Sequence, residues 1–237
     1  MAAALYLIPV ALGESAWPHY LPQASRDIVC TLSHFAVENA KSARAELKRI
    51  GHPLPLRELA IEQLPEKPSA ADIERLLAPL RAGQDLGLMS EAGCPGVADP
   101  GAALVRRAHE LGYSVRPLVG PSSLLLALMA SGLEGQRFAF HGYLPTREPE
   151  RSRRIGELER ESQKSAQTQL FIETPYRNAA LFDALLITCR PQTLLCVASD
   201  LSLPTEMVRT RSVADWRKAQ RPSLDKRPTV FLLLSAG

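Results

Sequence analysis

The chain has 237 residues, 46% of them hydrophobic and only 5% aromatic, with a formal net charge of +3. That length supports a sizeable aliphatic core in one large or two modest domains, and the mild positive charge neither requires nor excludes a nucleic-acid partner. No apolar run approaches the roughly 18 residues of a membrane span, and scattered cysteines and histidines without ligand spacing argue against a disulfide framework or a structural zinc.

The opening MAAALYLIPVALG lacks a basic leading segment and a cleavage pattern, so it reads as a first buried strand over residues 5–9 and not as a signal peptide. A turn and loop follow to 15, then a short helix from 23 that leads into an apolar strand at 28–30. Helical spacing over 39–50 ends at Gly51, and 53–68 reads as proline-rich and irregular. Ser69 is a good N-cap for a helix reaching 80, ahead of a strand at 85–89. A helix over 102–111 closes at Gly112, and a strand at 115–119 runs into Gly120-Pro121. An apolar helix then begins, capped by Ser122 or Ser123 and stopped by Gly132.

The second half changes character. Strands are expected at 137–143, 169–173, 193–200, 206–211 and 228–235, with a charged helix after Pro149 and another over 178–187. Alternating strands and helices in the first half imply a parallel sheet covered on both faces, whereas the strand-rich second half implies a mixed or antiparallel one. The expected fold is therefore α/β with two domains, 1–136 and 137–237.

The stretch 88–101, LMSEAGCPGVADPG, is the sharpest functional signal. A strand ends there in a loop with three glycines and two prolines, and the C-terminal ends of strands in open α/β sheets are where small ligands bind. The Gly120-Pro-Ser-Ser turn is a second such point, where free N–H groups at a helix start can hold a polar group. The cationic excess lies in the C-terminal half, concentrated in Arg147–Arg154 and in 217–227. These stretches fit either solvated helix faces or a phosphate-facing patch.

In combination these motifs resemble the tetrapyrrole methylase superfamily, the class III S-adenosylmethionine-dependent methyltransferases. Within it they are most similar to the bacterial small-subunit ribosomal RNA methyltransferases that act on a cytidine ribose 2′-oxygen. The resemblance runs from Leu5 to about Ala236. It rests on Leu5-Tyr-Leu-Ile-Pro-Val-Ala-Leu-Gly13, on Ser90-Glu-Ala-Gly-Cys-Pro-Gly-Val-Ala-Asp-Pro-Gly101, on Gly120-Pro-Ser-Ser with Ala130-Ser-Gly-Leu133, on 138–145 and on Leu170-Phe-Ile-Glu-Thr-Pro-Tyr-Arg177.

The resemblance implies two α/β domains with S-adenosylmethionine held in the cleft between them, a homodimer in the cytoplasm, no metal, and ribosomal RNA or the small ribosomal subunit as partner. Cofactor contacts would come from Pro9, Gly93, Cys94, Val97, Ser122 and Ser123, with Ile172, Ala198 and Thr229 as the second domain's wall. Where those RNA enzymes carry an acidic-acidic-threonine-arginine motif, this chain has Glu38-Asn-Ala-Lys41, and 64–69 replaces a histidine- and asparagine-rich segment. A small-molecule, tetrapyrrole-like methyltransferase and a non-catalytic binding relative are the alternative functions.

Four residues are candidates for catalysis. Glu38 and Lys41 could activate an acceptor hydroxyl or simply form an ion pair on a helix. Asp99 could orient the substrate or hold its loop by backbone hydrogen bonds. Glu173, ending a strand, is an acceptor-side carboxylate. Cys94 reads as a small loop side chain and not a nucleophile, since no base is evident beside it.

Overall fold

A computed structural model of the chain describes residues 3–235, so Ala236, where the sequence resemblance ends, lies outside it. The chain divides into two compact units, Met1–Ser122 and Ser123–Gly237. The division precedes the apolar helix that the sequence boundary near 136 assigned to the first domain.

The first unit holds five parallel strands, β1 (Ala4–Ile8), β2 (His34–Val37), β3 (Ala60–Gln63), β4 (Leu86–Met89) and β5 (Ser114–Pro117), in the order β3-β2-β4-β1-β5. Parallel strands buried on both faces need apolar residues at every position, and β4 is buried throughout. Tyr6, Ile8, Phe35, Val37 and Met89 pack on one face under α1 (Gln23–Val29) and α2 (Ala40–Arg49). Leu5, Ala36, Leu86 and Leu88 pack on the other with α3 (Ala70–Leu76), α4 (Ala78–Arg81) and α5 (Ala102–Glu110).

Three local expectations are corrected. Residues 28–30 finish helix α1 and its cap, and the strand lies at β2; a three-residue apolar run cannot by its period tell helix from strand. The proline-rich 53–68 contains β3, an edge strand whose partly exposed Ala-Ile-Glu-Gln carries little alternation. The helix expected over 69–80 is two pieces, because Pro79 enters a new first turn after Leu77.

The second unit begins with α6 (Ser123–Ser131) and holds β6 (Phe138–Tyr143), β7 (Thr168–Ile172), β8 (Leu194–Ser199), β9 (Met207–Ser212) and β10 (Thr229–Leu234) in the order β6-β7-β10-β8-β9. Only the β6–β7 pair is parallel, so the sheet is mixed, as its strand-rich sequence implied. Phe171, Val197 and Phe231 bury one face against α7 (Glu150–Ser165), α8 (Asn178–Thr188) and α9 (Val213–Lys218). Helix α9 was not anticipated; Ser212 caps it and Trp216 Nε1 donates to Leu195 O at 2.8 Å. Helix α6 lies against the strands β8, β9 and β10, where Thr210 donates to Ser131 O at 2.6 Å.

Candidate functional site

Because all five strands of the first unit run parallel, the loops after them gather at one edge of the sheet. The segments after β1 and β4 are pinned together: Val10 N–H donates to Gly93 O at 2.9 Å and Gly93 N–H returns to Val10 O at 3.0 Å. Gly93 sits at φ +70°, in the left-handed region that a β-carbon disfavours. What it offers a ligand is therefore space, since its own N–H is already used. The loop after β5 closes on the same point: a Cβ on Gly120 would overlap the Pro9 ring, and the Cys94 thiol donates to Pro121 O at 3.3 Å. The structure thus brings Pro9, Gly93 and Cys94 together, with Val97 further along the loop and largely exposed.

An acidic group forms beside this cluster. Glu38 follows β2, and its carboxylate accepts the Glu91 N–H at 3.1 Å. Asp99, from the far end of the loop after β4, faces Glu38 and Glu91. Burial first, then repulsion from Glu38 and to a lesser degree Glu91, push its pKa from 3.8 up to about 6, against an opposing contact from Ser90. Ser90 Oγ is buried with no partner at good hydrogen-bond geometry. Burial and Asp99 raise the Cys94 thiol's pKa, which keeps it protonated and inert. Lys41 stands exposed on the first turn of α2 and forms no ion pair with Glu38.

At one end of the second sheet, Ile172 and Ala198 both pair with Val230, so the three side chains form a row on one face. Thr229 is one position out of phase and points to the other face, where it meets the Ser199 hydroxyl at 2.8 Å. Only its main chain lies in line with Ile172 and Ala198. Glu173 follows directly, buried, accepting the Thr174 N–H at 2.5 Å and Arg177 at 2.7 Å. Burial alone would raise its pKa, but the Arg177 guanidinium and the Thr174 N–H outweigh it and hold the carboxyl below its ordinary value.

Sequence reasoning missed Ser90, Glu91 and Arg177 as partners of the candidate residues, although all three lie inside the motifs it singled out. Gly120 was read as a turn residue, and its tight approach to Pro9 carries no sequence signal.

Small side chains around Pro9 and Gly93, a buried hydroxyl on Ser90 and a group of carboxylates suit a polar, cationic ligand. A model of the tetrapyrrole (corrin/porphyrin) methylases matches residues 19–216. The chain belongs to this family. A ribosomal RNA small subunit methyltransferase I of Xylella fastidiosa is 31% identical over 217 residues, which cover 92% of this chain and 76% of the relative. The protein of the same description from Escherichia coli O157:H7 is 27% identical over 233 residues, covering 98% and 77%. Among solved structures the methyltransferase CobJ aligns with a TM-score of 0.64 at 16% identity, over 99% of this chain and 95% of that one, a likeness of fold.

This methylase is accordingly an S-adenosylmethionine-dependent methyltransferase. The residues present fit that donor: the carboxylates of Glu38, Glu91 and Asp99 gather beside Pro9 and Gly93 in the first unit, where a cationic sulfur would be favoured. Among the described residues no helix is long and apolar enough to cross a membrane.

Proposed function

We propose that this methyltransferase modifies ribosomal RNA of the small subunit on a ribose hydroxyl. Pro9, Gly93, Cys94, Val97 and Ser122 of the first unit would hold the donor. The observation that carries the reaction type is Asp99, a carboxyl with a pKa of about 6 at the ligand-binding edge of a parallel sheet. A ribose hydroxyl needs a base to become a nucleophile, and a base works best when its pKa lies near the working pH.

S-adenosylmethionine, when bound, supplies an electrophilic methyl group on a cationic sulfur. Asp99 then receives the proton of the acceptor hydroxyl. Glu38, fixed by the Glu91 N–H, keeps Asp99 basic by repulsion, so it acts through Asp99 as a positioning residue. Ser90, buried beside Asp99, would tune that carboxyl as a hydrogen-bond donor. Holding the reactants in line carries much of the rate for a displacement of this kind.

The RNA assignment is supported by the relatives matched over nearly the whole chain, both described as small-subunit ribosomal RNA methyltransferases. We read the protein as a cytoplasmic homodimer, for which Leu125 and Met129, exposed one turn apart on α6, supply apolar surface.

Incubation with labelled S-adenosylmethionine and undermodified small ribosomal subunits, followed by mass spectrometry of the RNA, tests the proposal. Label on a ribose supports it. Label only on small metabolites, or donor binding without turnover, overturns it in favour of a tetrapyrrole-like substrate or a non-catalytic relative.

A further inference from the structure

Asp99, Glu38 and Glu91 place three carboxylates where the acceptor must arrive, and such a site on its own repels a polyanion. Cations must lie close by for RNA to settle there. The sequence pointed to Arg147–Arg154 and 217–227, but several of their arginines are engaged by carboxylates: Arg221 pairs with Asp183 and Arg227 with Asp200. Arg151 pairs with Glu148, and Arg154 with Glu157 and Glu161.

Helix α2 is different. It starts directly after Glu38 and Asn39, at the catalytic edge of the first sheet, and its one acidic residue, Glu46, is buried and held by Tyr20 and Arg49. Its outward face carries Lys41, Arg44 and Lys48, all exposed and without a carboxylate partner in their unit. At i, i+3 and i+7 they share one side of the helix and span about 10 Å, at about 1.5 Å per residue. That is roughly three base steps of about 3.4 Å. Elsewhere in the unit, Arg75, Arg81 and Arg107 are all engaged by carboxylates.

Lys41 adds a second argument. It stands in the first turn of α2, where the positive end of the helix disfavours a cation, and no acid is present there to compensate.

We propose that Lys41, Arg44 and Lys48 form a phosphate-binding stripe that draws the RNA backbone along α2 and delivers the acceptor ribose to Asp99. The stripe rests on the reading of RNA as substrate. Its contribution is electrostatic and independent of sequence, so it sets affinity and salt dependence and leaves the choice of nucleotide to other residues.

The test compares the full-length protein with Arg44→Gln/Lys48→Gln, with the triple variant that adds Lys41→Gln, and with a control, Arg147→Gln/Arg153→Gln. Binding to unmodified small-subunit ribosomal RNA is followed by filter retention over a range of KCl. The triple variant is expected to flatten the slope of log affinity against log salt by about two to three. It should raise KM for RNA at least about tenfold while calorimetric affinity for S-adenosylmethionine stays unchanged. Lys41→Glu should lose RNA affinity while its melting temperature holds or rises, which a merely structural lysine would not show. Wild-type affinity and slope in the triple variant, with loss in the α7 control, overturn the stripe and leave the RNA reading intact. A wild-type protein that binds S-adenosylmethionine but neither binds nor methylates this RNA overturns both.

Discussion

Asp99 shows how a single residue joins stability to chemistry. Its carboxyl gives up its proton near 3.8 in an unfolded chain and near 6 in the fold. A raised carboxyl favours the folded state only while the fold holds the proton, so stability falls as pH climbs from about 4 to about 6 and stays lower above. Asp99→Asn is expected to stabilise the protein at neutral pH by on the order of 2 kcal/mol, with little effect near pH 3.5. Methyl transfer should drop at least about 100-fold. Thermal unfolding at the two pH values, beside an activity assay, checks both. Glu173 is the opposite case: its carboxyl is held below its ordinary value, so its contribution is present above the unfolded pKa and is lost as pH falls through the folded one. Removing Arg177 strands a buried charge, whereas neutralising Glu173 leaves an amide that can still accept a hydrogen bond. Arg177→Ala should therefore cost more than Glu173→Gln, by about 1–3 kcal/mol in denaturant unfolding. Asp99 and Glu173 were both singled out as candidates in their motifs. Their opposite electrostatics were not, because Glu38 meets Asp99 only across neighbouring strands of the folded sheet.

At the scale of elements, the long pieces were readable and the short ones were not. Asn39 was placed at the start of a helix that begins at Ala40, and its carboxamide accepts the N–H groups of Lys41 and Ser42. Asn39→Ala should cost about 1 kcal/mol and fray the first turn of α2, which far-UV circular dichroism and chemical denaturation would register. Strands β4 and β5, equally short, were found from the glycine loops that follow them, whereas β2 and β3 have no such marker and too few alternations to count. The loops after β1, β4 and β5 were recognised as glycine-rich, but their mutual packing is a property of the sheet. Gly120→Ala would press a methyl group into the Pro9 ring, so weaker donor binding is expected from displacement of Pro9, read by calorimetry.

For the whole molecule, the donor should stabilise the fold by mass action. At about 100 times its dissociation constant the expected gain is about 2.7 kcal/mol, seen as a rise in melting temperature. The gain should depend on pH with a definite sign. A bound sulfonium favours ionised Asp99, so affinity for S-adenosylmethionine should strengthen as pH rises from about 5 to 7, and Asp99→Asn should flatten that dependence. Titration calorimetry across this range would show it; a flat wild-type profile would place the donor away from the acidic group.

The α/β class, the glycine-proline loop after β4 and the membership of a methylase family were determined by the sequence alone, because each is written in residues adjacent along the chain. Tertiary structure decided what depends on distant residues meeting. It spends the Gly93 N–H on Val10, turns the Thr229 side chain away from Ile172 and Ala198, and sets Asp99 against Glu38. It also settles which cations find carboxylates, neutralising much of the conspicuous basic stretch of α7 while leaving the outer face of α2 charged. Propensity and motif act over a few residues; burial, repulsion and ion pairing act through space, and only the fold brings the partners within their range.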